Sequence, residues 1–357
     1  MKVALVHDDL VQWGGAERVL LGISELFPQA PIYTASFNQG NPILKEQFKD
    51  KKIITSFIQN IPGKDLAYRS LLPLYSLAFE QFDFSEFDLV ISQTTKFAKA
   101  IITKPSTTHI CYCHTPPRFL WKFSGEKVSK WLSPYINYLR IYDQIVSNRV
   151  DYFLAGSKNC QQRIKTVYKT ESEVLYPFID LARFENLQSF NGGYYLLITR
   201  LNKYKNVDLA VKVFNKLGMK LKIVGTGPEF SSLANQANPN IEFLGPIDEE
   251  LLLNLLCGCQ ALIVTAEEDF GLASLEAQAC GKGVVAYAKG GNLETVIDGK
   301  TGVLFSQLNP ASLEQAIERL TKIKINSKAY KENANRFSKQ AFQKNLSNMI
   351  KSKQGQS

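Results

Sequence analysis

Short apolar runs alternate with amphipathic stretches along the 357 residues. That alternation predicts parallel strands joined by crossover helices. In the first half, strands are predicted at 2–7 (KVALVH), 30–37, 52–57, 88–93, 108–114 and 151–157, with a last extended run at 171–180. A helix is predicted over 14–27, its face formed by Val19, Leu20, Ile23, Leu26 and Phe27. The polar stretch 181–193 reads as a linker, after which the pattern restarts. Strands follow at 194–199, 221–227, 241–247, 261–266, 283–288 and 302–305, with helices at 205–217, 248–258, about 272–280 and 310–323. The expectation is an α/β chain of two Rossmann-like domains facing across a cleft, one at 1–180 and one at 188–334. The tail 329–350 places Phe337, Phe342, Leu346 and Ile350 at helical spacing, and a helix over about 335–350 is expected to return to the first domain.

Composition narrows the ligand class. The chain is 45% hydrophobic and 21% charged, which is ordinary for a soluble protein, and its net charge is +9. A basic balance favours anionic partners. Zinc-finger spacing, an aromatic RNA-binding signature and long Lys/Arg runs are all missing, so phosphorylated small molecules and anionic lipid surfaces are favoured over nucleic acid. No apolar leader precedes the first strand and no run of about 18 apolar residues occurs, so the expectation is a cytoplasmic chain with reduced cysteines. CYCH at 111–114 has a metal-site flavour, but strand alternation puts Cys111 and Cys113 on one face and no second ligand pair lies at zinc spacing.

The densest chemistry lies in EEDFGLASLEAQACG, residues 267–281. Glu268 precedes a helix that opens at Gly271 and contains Glu276. Free N–H groups at a helix start suit an anionic oxygen, and carboxylates suit adjacent sugar hydroxyls. Upstream, ITRLNKYKN carries Arg200 and Lys205, a pair suited to a diphosphate. Residue by residue the blander readings stay open: Arg200 in a surface salt bridge, Glu276 as a solvated helix position, VGTGP around Gly225 as an ordinary glycine turn.

The combination is more specific. GGAER (14–18), HTPPR (114–118), SKNCQQRI (157–164), LYPFID (175–180), Arg200 with Lys205, VGTGP, FLG, the Glu268–Glu276 segment, GG…E and TGVL together resemble the retaining glycosyltransferases of family 4 (group 1), which have the GT-B fold. The resemblance spans about residues 2–348 and lies towards bacterial mannosyltransferases of surface-polysaccharide biosynthesis.

It implies that Glu276 holds the ribose hydroxyls of a nucleotide-sugar donor and that Glu268 meets the transferred sugar. It assigns Arg200 and Lys205 to the diphosphate. Backbone of Phe270, Gly271 and Leu272 falls on sugar hydroxyls and diphosphate, and Gly245, Pro246 and Ile247 on the base. Asp269 departs from the glycine common at that position. In the first half, Gly14 and Gly15 admit phosphate or sugar close to the backbone, and His114 matches the histidine beside the reacting sugar, with His7 as its rival. Arg118 and Trp13 are acceptor-side candidates.

The implied activity is metal-independent transfer of a hexose with retention. Mannose from GDP-mannose is favoured, and a lipid-linked or polysaccharide acceptor is expected. No cofactor or divalent metal is expected, and Asp83 and Asp88 are too far apart for an Asp-x-Asp metal motif. The aromatic and basic stretch 116–142, with Lys122, Lys127, Lys130 and Arg140, suits the inner face of a membrane. The alternatives are a transferase using UDP- or GDP-linked glucose or galactose, a nucleotide-sugar epimerase, and a non-catalytic sugar-nucleotide binder.

Overall fold

A computed structural model describes residues 1–62, 71–121, 123, 133–323 and 327–354. The chain divides into two compact units. Unit 1 comprises Met1–Pro177 and Phe342–Ser357, and unit 2 comprises Phe178–Ala341.

Unit 1 is built on β1 (Val3–His7), β2 (Ile32–Thr34), β3 (Ile53–Thr55), β4 (Leu89–Thr94), β5 (Thr108–Cys113), β6 (Tyr152–Ala155) and β7 (Ser172–Val174). All pairings are parallel, in the order β3-β2-β1-β4-β5-β6-β7. Strands β1 and β4 are buried along their whole length, as a sheet covered on both faces requires. Helix Gly15–Leu26 buries Val19, Leu20 and Ile23, whereas Leu26 and Phe27 at its end are only half-buried. Cys111 and Cys113 are buried in β5, and burial pushes both thiols well above their ordinary range. Among the described residues no group of three or more His, Cys, Asp or Glu side chains is arranged to hold a metal ion.

Unit 2 repeats the plan with β8 (Tyr195–Ile198), β9 (Leu221–Val224), β10 (Ile241–Gly245), β11 (Ala261–Val264), β12 (Gly283–Tyr287) and β13 (Gly302–Phe305). The order β10-β9-β8-β11-β12-β13 is again parallel throughout. Its core packs Leu197, Ile223 and Ile263 of the sheet against Val211, Phe214 and Ile317 of flanking helices. Each sheet reverses its strand order once, between β1 and β4 in unit 1 and between β8 and β11 in unit 2. Ligands of open parallel sheets bind at the carboxyl ends of the strands flanking such a reversal.

Two expectations need correction. The stretch 181–193 is not a loose linker but part of unit 2. Phe190 N–H donates to Cys257 O at 3.0 Å, Gly192 N–H donates to Gly258 O at 2.8 Å, and Lys282 Nζ donates to Phe190 O at 2.6 Å. The tail is not one helix either. Helices Ser327–Asn335 and Lys339–Gln354 are separated by a turn in which Phe337 packs 5.4 Å from Phe270, ring to ring. Phe342, Leu346 and Ile350 are buried on the second of these helices. There Phe342 meets Tyr112, and Gln343 Nε2 donates to Gly22 O at 3.0 Å. Of the basic stretch 116–142, residues 122 and 124–132, with Lys122, Lys127 and Lys130, lie outside the described residues, as do 355–357 of the tail.

Candidate active site

In unit 2, the loops after β8 and β11 are tied to each other. The turn Lys203–Lys205 follows β8, and the Lys205 carbonyl accepts from Thr265 Oγ1 at 2.7 Å. Asn206, held in the left-handed region at φ 51°, donates through its side chain to Thr265 O at 3.3 Å. The result is a salt bridge of 2.7 Å between Lys205 Nζ and Glu268 Oε1, with Lys205 nearly buried and Glu268 24% exposed. The pair lines a small pocket floored by Ile198 and Val264 at the carboxyl ends of β8 and β11. Lys205 and Glu268, expected on different parts of one ligand, here neutralise each other.

The backbone of Glu268 is itself braced. It forms a parallel bridge to Gly290, and Gly291 N–H donates to Glu268 O at 2.8 Å. A Cβ on Gly291 would stand 2.2 Å from Phe270 Cα, so only glycine permits this approach. Gly271 then takes φ 100° and opens helix Leu272–Ala279, whose first N–H groups have no partner within the helix. Phe270 is buried, while Asp269, Gly271 and Leu272 are half-buried.

Glu276, inside that helix, is not a solvated position. Its Oε1 lies 3.1 Å from Arg183 Nη1, and the same guanidinium reaches Glu249 Oε1 through Nε at 2.6 Å. Arg183 was hidden from sequence reasoning inside the supposed linker. Glu249 opens the helix after β10, two residues beyond Ile247, with Asp248 as N-cap. Arg183 therefore couples the helix carrying Glu276 to the one that follows Gly245, Pro246 and Ile247. Of those three, Pro246 is exposed and the others are half-buried.

Two further predicted residues lie in the loops after β8 and β9. Arg200 is exposed in the loop after β8. Among the described residues it makes no salt bridge, contrary to the blander reading. Gly225 has a packing role: its Cβ would fall 1.9 Å from Thr199 O, so glycine lets the VGTGP turn lie against the Arg200 loop, where Leu201 N–H donates to Thr226 O at 2.8 Å.

In unit 1, the reversal collects GGAER and His114. Gly14, extended at φ −160°, caps the 12-residue helix Gly15–Leu26 without a side-chain bond. His7 at the end of β1 lies 3.7 Å from Glu17 Oε1, with both side chains buried. Gln93 on β4 contacts both Ala16 O and the His114 ring. Trp13 is half-buried, with the Arg18 guanidinium 5.8 Å from its ring centre. Arg118 begins a short helix, Arg118–Trp121, beyond the HTPPR loop. That loop is held from behind by Arg163 Nη1, 3.0 Å from Thr115 Oγ1.

Beneath the loop after β4, Asp8 accepts from the N–H groups of Thr95, Lys96, Phe97 and Ala98. Burial pushes the carboxyl up, but Lys96, His7 and the Thr95 and Ala98 amides together outweigh burial and hold it below the usual carboxylate range. Sequence reasoning did not single out Asp8, Gln93 or Arg183. Only the polar HDD run directly after an apolar strand hinted at the first.

Comparison with known proteins gives the family of both halves of the chain. Residues 13–183 match the family model described as Glycosyltransferase Family 4, and residues 179–341 match Glycosyl transferases group 1. The chain is a family 4 glycosyltransferase. Among its relatives is an uncharacterized glycosyltransferase of Methanocaldococcus jannaschii, 27% identical over 56% of this chain and 58% of that one. Alpha-1,3/1,6-mannosyltransferase ALG2 of Dictyostelium discoideum is 25% identical and covers 98% of both chains. In fold, this glycosyltransferase is similar to sucrose-phosphate synthase from Thermosynechococcus elongatus, with a TM-score of 0.77, 16% identity and 100% of both chains covered. It is also similar to Anabaena HepE in complex with UDP and glucose, with a TM-score of 0.74, 18% identity, and 99% of this chain and 100% of that one covered. Both units of the glycosyltransferase are thus of the GT-B type.

Proposed function

We propose that this glycosyltransferase moves a hexose, mannose in the favoured reading, from a nucleotide diphosphate to a hydroxyl of a lipid-linked or polysaccharide acceptor, with retention and without a divalent metal. The observation that carries the reading is the placement of Lys205, Glu268 and Glu276 around one reversal of the unit 2 sheet. Departure of a nucleoside diphosphate builds negative charge on phosphate oxygens. Lys205, Arg200 and the helix start at Gly271 supply fixed positive potential for that charge. Glu276 accepts ribose hydroxyls, Glu268 accepts hydroxyls of the transferred sugar, and His114 stands beside that sugar.

Similarity across almost the whole chain to a protein named as an alpha-1,3/1,6-mannosyltransferase supports mannose, and hence GDP-mannose, over glucose or galactose carried by UDP. Contact with an anionic membrane surface is part of the proposal. Helix Ser133–Ser147 exposes Tyr138, Ile141 and Ile145, one apolar face at helical spacing. Among the described residues no helix is long and apolar enough to cross a membrane.

Calorimetry with GDP, UDP and ADP, followed by transfer assays with GDP-mannose, UDP-glucose and UDP-galactose, tests the reading. Tightest binding of GDP and release of GDP that depends on a saccharide acceptor are expected. Preference for UDP would overturn the mannose reading, and epimerised donor without transfer would overturn the transferase reading itself. Activity abolished by EDTA and restored by magnesium would overturn metal independence.

A further inference from the structure

Gln93 Nε2 lies 2.6 Å from Ala16 O and 2.5 Å from His114 Nε2. A carbonyl oxygen only accepts, so the amide atom facing Ala16 must be the NH2 group. The same NH2 group faces His114 Nε2, and two donors do not bond each other. His114 Nε2 is therefore the accepting nitrogen, and the ring proton sits on Nδ1. Flipping the amide would set Gln93 Oε1 against Ala16 O, two acceptors within hydrogen-bond distance, so the backbone of GGAER fixes the amide and the amide fixes the ring. Gln93 is 1% exposed, and its Oε1 has no partner. A buried amide that leaves its oxygen unbonded is costly, and the orientation that saturates His114 and Ala16 is kept in spite of that cost. The ring is further packed edge-on against Tyr112, 5.0 Å between centres.

We propose that Gln93 is a positioning residue that locks His114 as the neutral Nδ1–H tautomer, so that His114 acts through Nδ1 as a hydrogen-bond donor and not through Nε2 as a base. The proposal rests on the reading above only in giving His114 a sugar to meet. Protonation at Nε2 would drive a donor against the Gln93 amide, so the lock also opposes the imidazolium.

The chain has three histidines, His7, His109 and His114, which makes nitrogen NMR of histidine-labelled protein decisive. The His114 signals are assigned by their loss in His114→Asn. Expected at neutral pH is a protonated, pyrrole-like Nδ1 and a pyridine-like Nε2. In Gln93→Leu the tautomer population should move towards Nε2–H, and in Gln93→Glu the imidazolium should persist to higher pH. His109 on β5, held between Arg149 O and the Oγ of Ser92, the residue before Gln93 on β4, reports whether β4 is intact in each variant. Transfer by Gln93→Leu should fall about 100-fold in kcat, the scale of a misoriented group, with the donor KM changed far less. An Nε2–H tautomer or an imidazolium at neutral pH in the unaltered protein would overturn the proposal. So would an unchanged Nδ1–H tautomer in Gln93→Leu. If no transfer is found while the NMR result stands, the functional reading falls and the tautomer assignment does not.

Discussion

The guanidinium of Arg183 holds two carboxylates at once, Glu276 at 3.1 Å and Glu249 at 2.6 Å. The Glu276 and Arg183 side chains are 10% and 14% exposed, so the pair is shielded enough for its loss to leave a poorly hydrated carboxylate. Arg183 thereby sets where the Glu276 carboxylate stands.

Arg183→Met should weaken nucleoside diphosphate binding about tenfold, roughly 1.4 kcal/mol. The more specific effect concerns the ribose. If Glu276 reads its hydroxyls, the unaltered protein prefers a nucleoside diphosphate to its 2′-deoxy counterpart. Arg183→Met should erase most of that preference, because the reading carboxylate is no longer held. Calorimetry with both ligands on both proteins measures this. A variant that still discriminates as well as the parent would show that Arg183 does not position Glu276.

The Lys205–Glu268 bridge leads to a second expectation. A diphosphate must draw Lys205 away from Glu268 or share it. Lys205→Met should therefore cost a nucleoside diphosphate about 1.5–3 kcal/mol, the range of a charge-assisted hydrogen bond. A nucleoside monophosphate, which lacks the outer phosphate, should lose much less. Glu268→Gln frees the ammonium and should leave diphosphate affinity unchanged or improved while depressing transfer. Equal losses for mono- and diphosphate in Lys205→Met would place Lys205 elsewhere than on the diphosphate.

Much of this was legible in the sequence, for a physical reason. Strand and helix periodicity are local, and residues that follow strands at a reversal stay close along the chain to the apolar runs that mark the strands. Glu268, Gly271 and Glu276 belong to one strand–loop–helix segment, so their grouping could be read directly. Arg183 could not, because it lies 93 residues from Glu276 in a polar stretch that looks like a linker. Its role arises only when 181–193 packs onto unit 2. Gln93 was equally hidden as the last residue of a predicted strand, 88–93. Its amide has meaning only beside Ala16 and His114, which the parallel order β1-β4-β5 brings together. The break at Phe337 escaped because helical spacing continued across it while the chain turned.

The interior of unit 1 contains a charged pair with a clear expectation. Lys99 Nζ and Asp143 Oδ1 are 2.5 Å apart and both side chains are fully buried. Asp143 Oδ2 also accepts from Trp121 Nε1 at 2.8 Å and from Tyr168 OH at 2.9 Å. Burial alone would lower the lysine, but Asp143 outweighs it and holds the ammonium above its usual range. Lys99→Met leaves a buried carboxylate facing only neutral donors and should cost about 3–5 kcal/mol in denaturant unfolding. The paired change Lys99→Met with Asp143→Leu should cost less than Lys99→Met alone. Additive losses would mean that the two charges do not depend on each other.

Stability should also carry a pH signature from His109. Burial between β4 and β6 brings its imidazole down to about 4 from 6.5, against the opposing pull of the Arg149 carbonyl and Asp151. Below about 6.5 the unfolded chain takes up a proton that the folded chain refuses until about 4. Between those values the unfolded state binds more protons, so stability falls as pH falls and rises as pH rises. The contribution is complete above the unfolded value and is lost across that window, by about 3 kcal/mol in all. Urea unfolding from pH 7 to pH 4 measures the slope. His109→Gln offers a group that does not titrate; it should flatten this part of the profile even if it lowers stability at every pH. An unchanged slope in that variant would assign the acid sensitivity to other groups, with His109 charged in the folded protein.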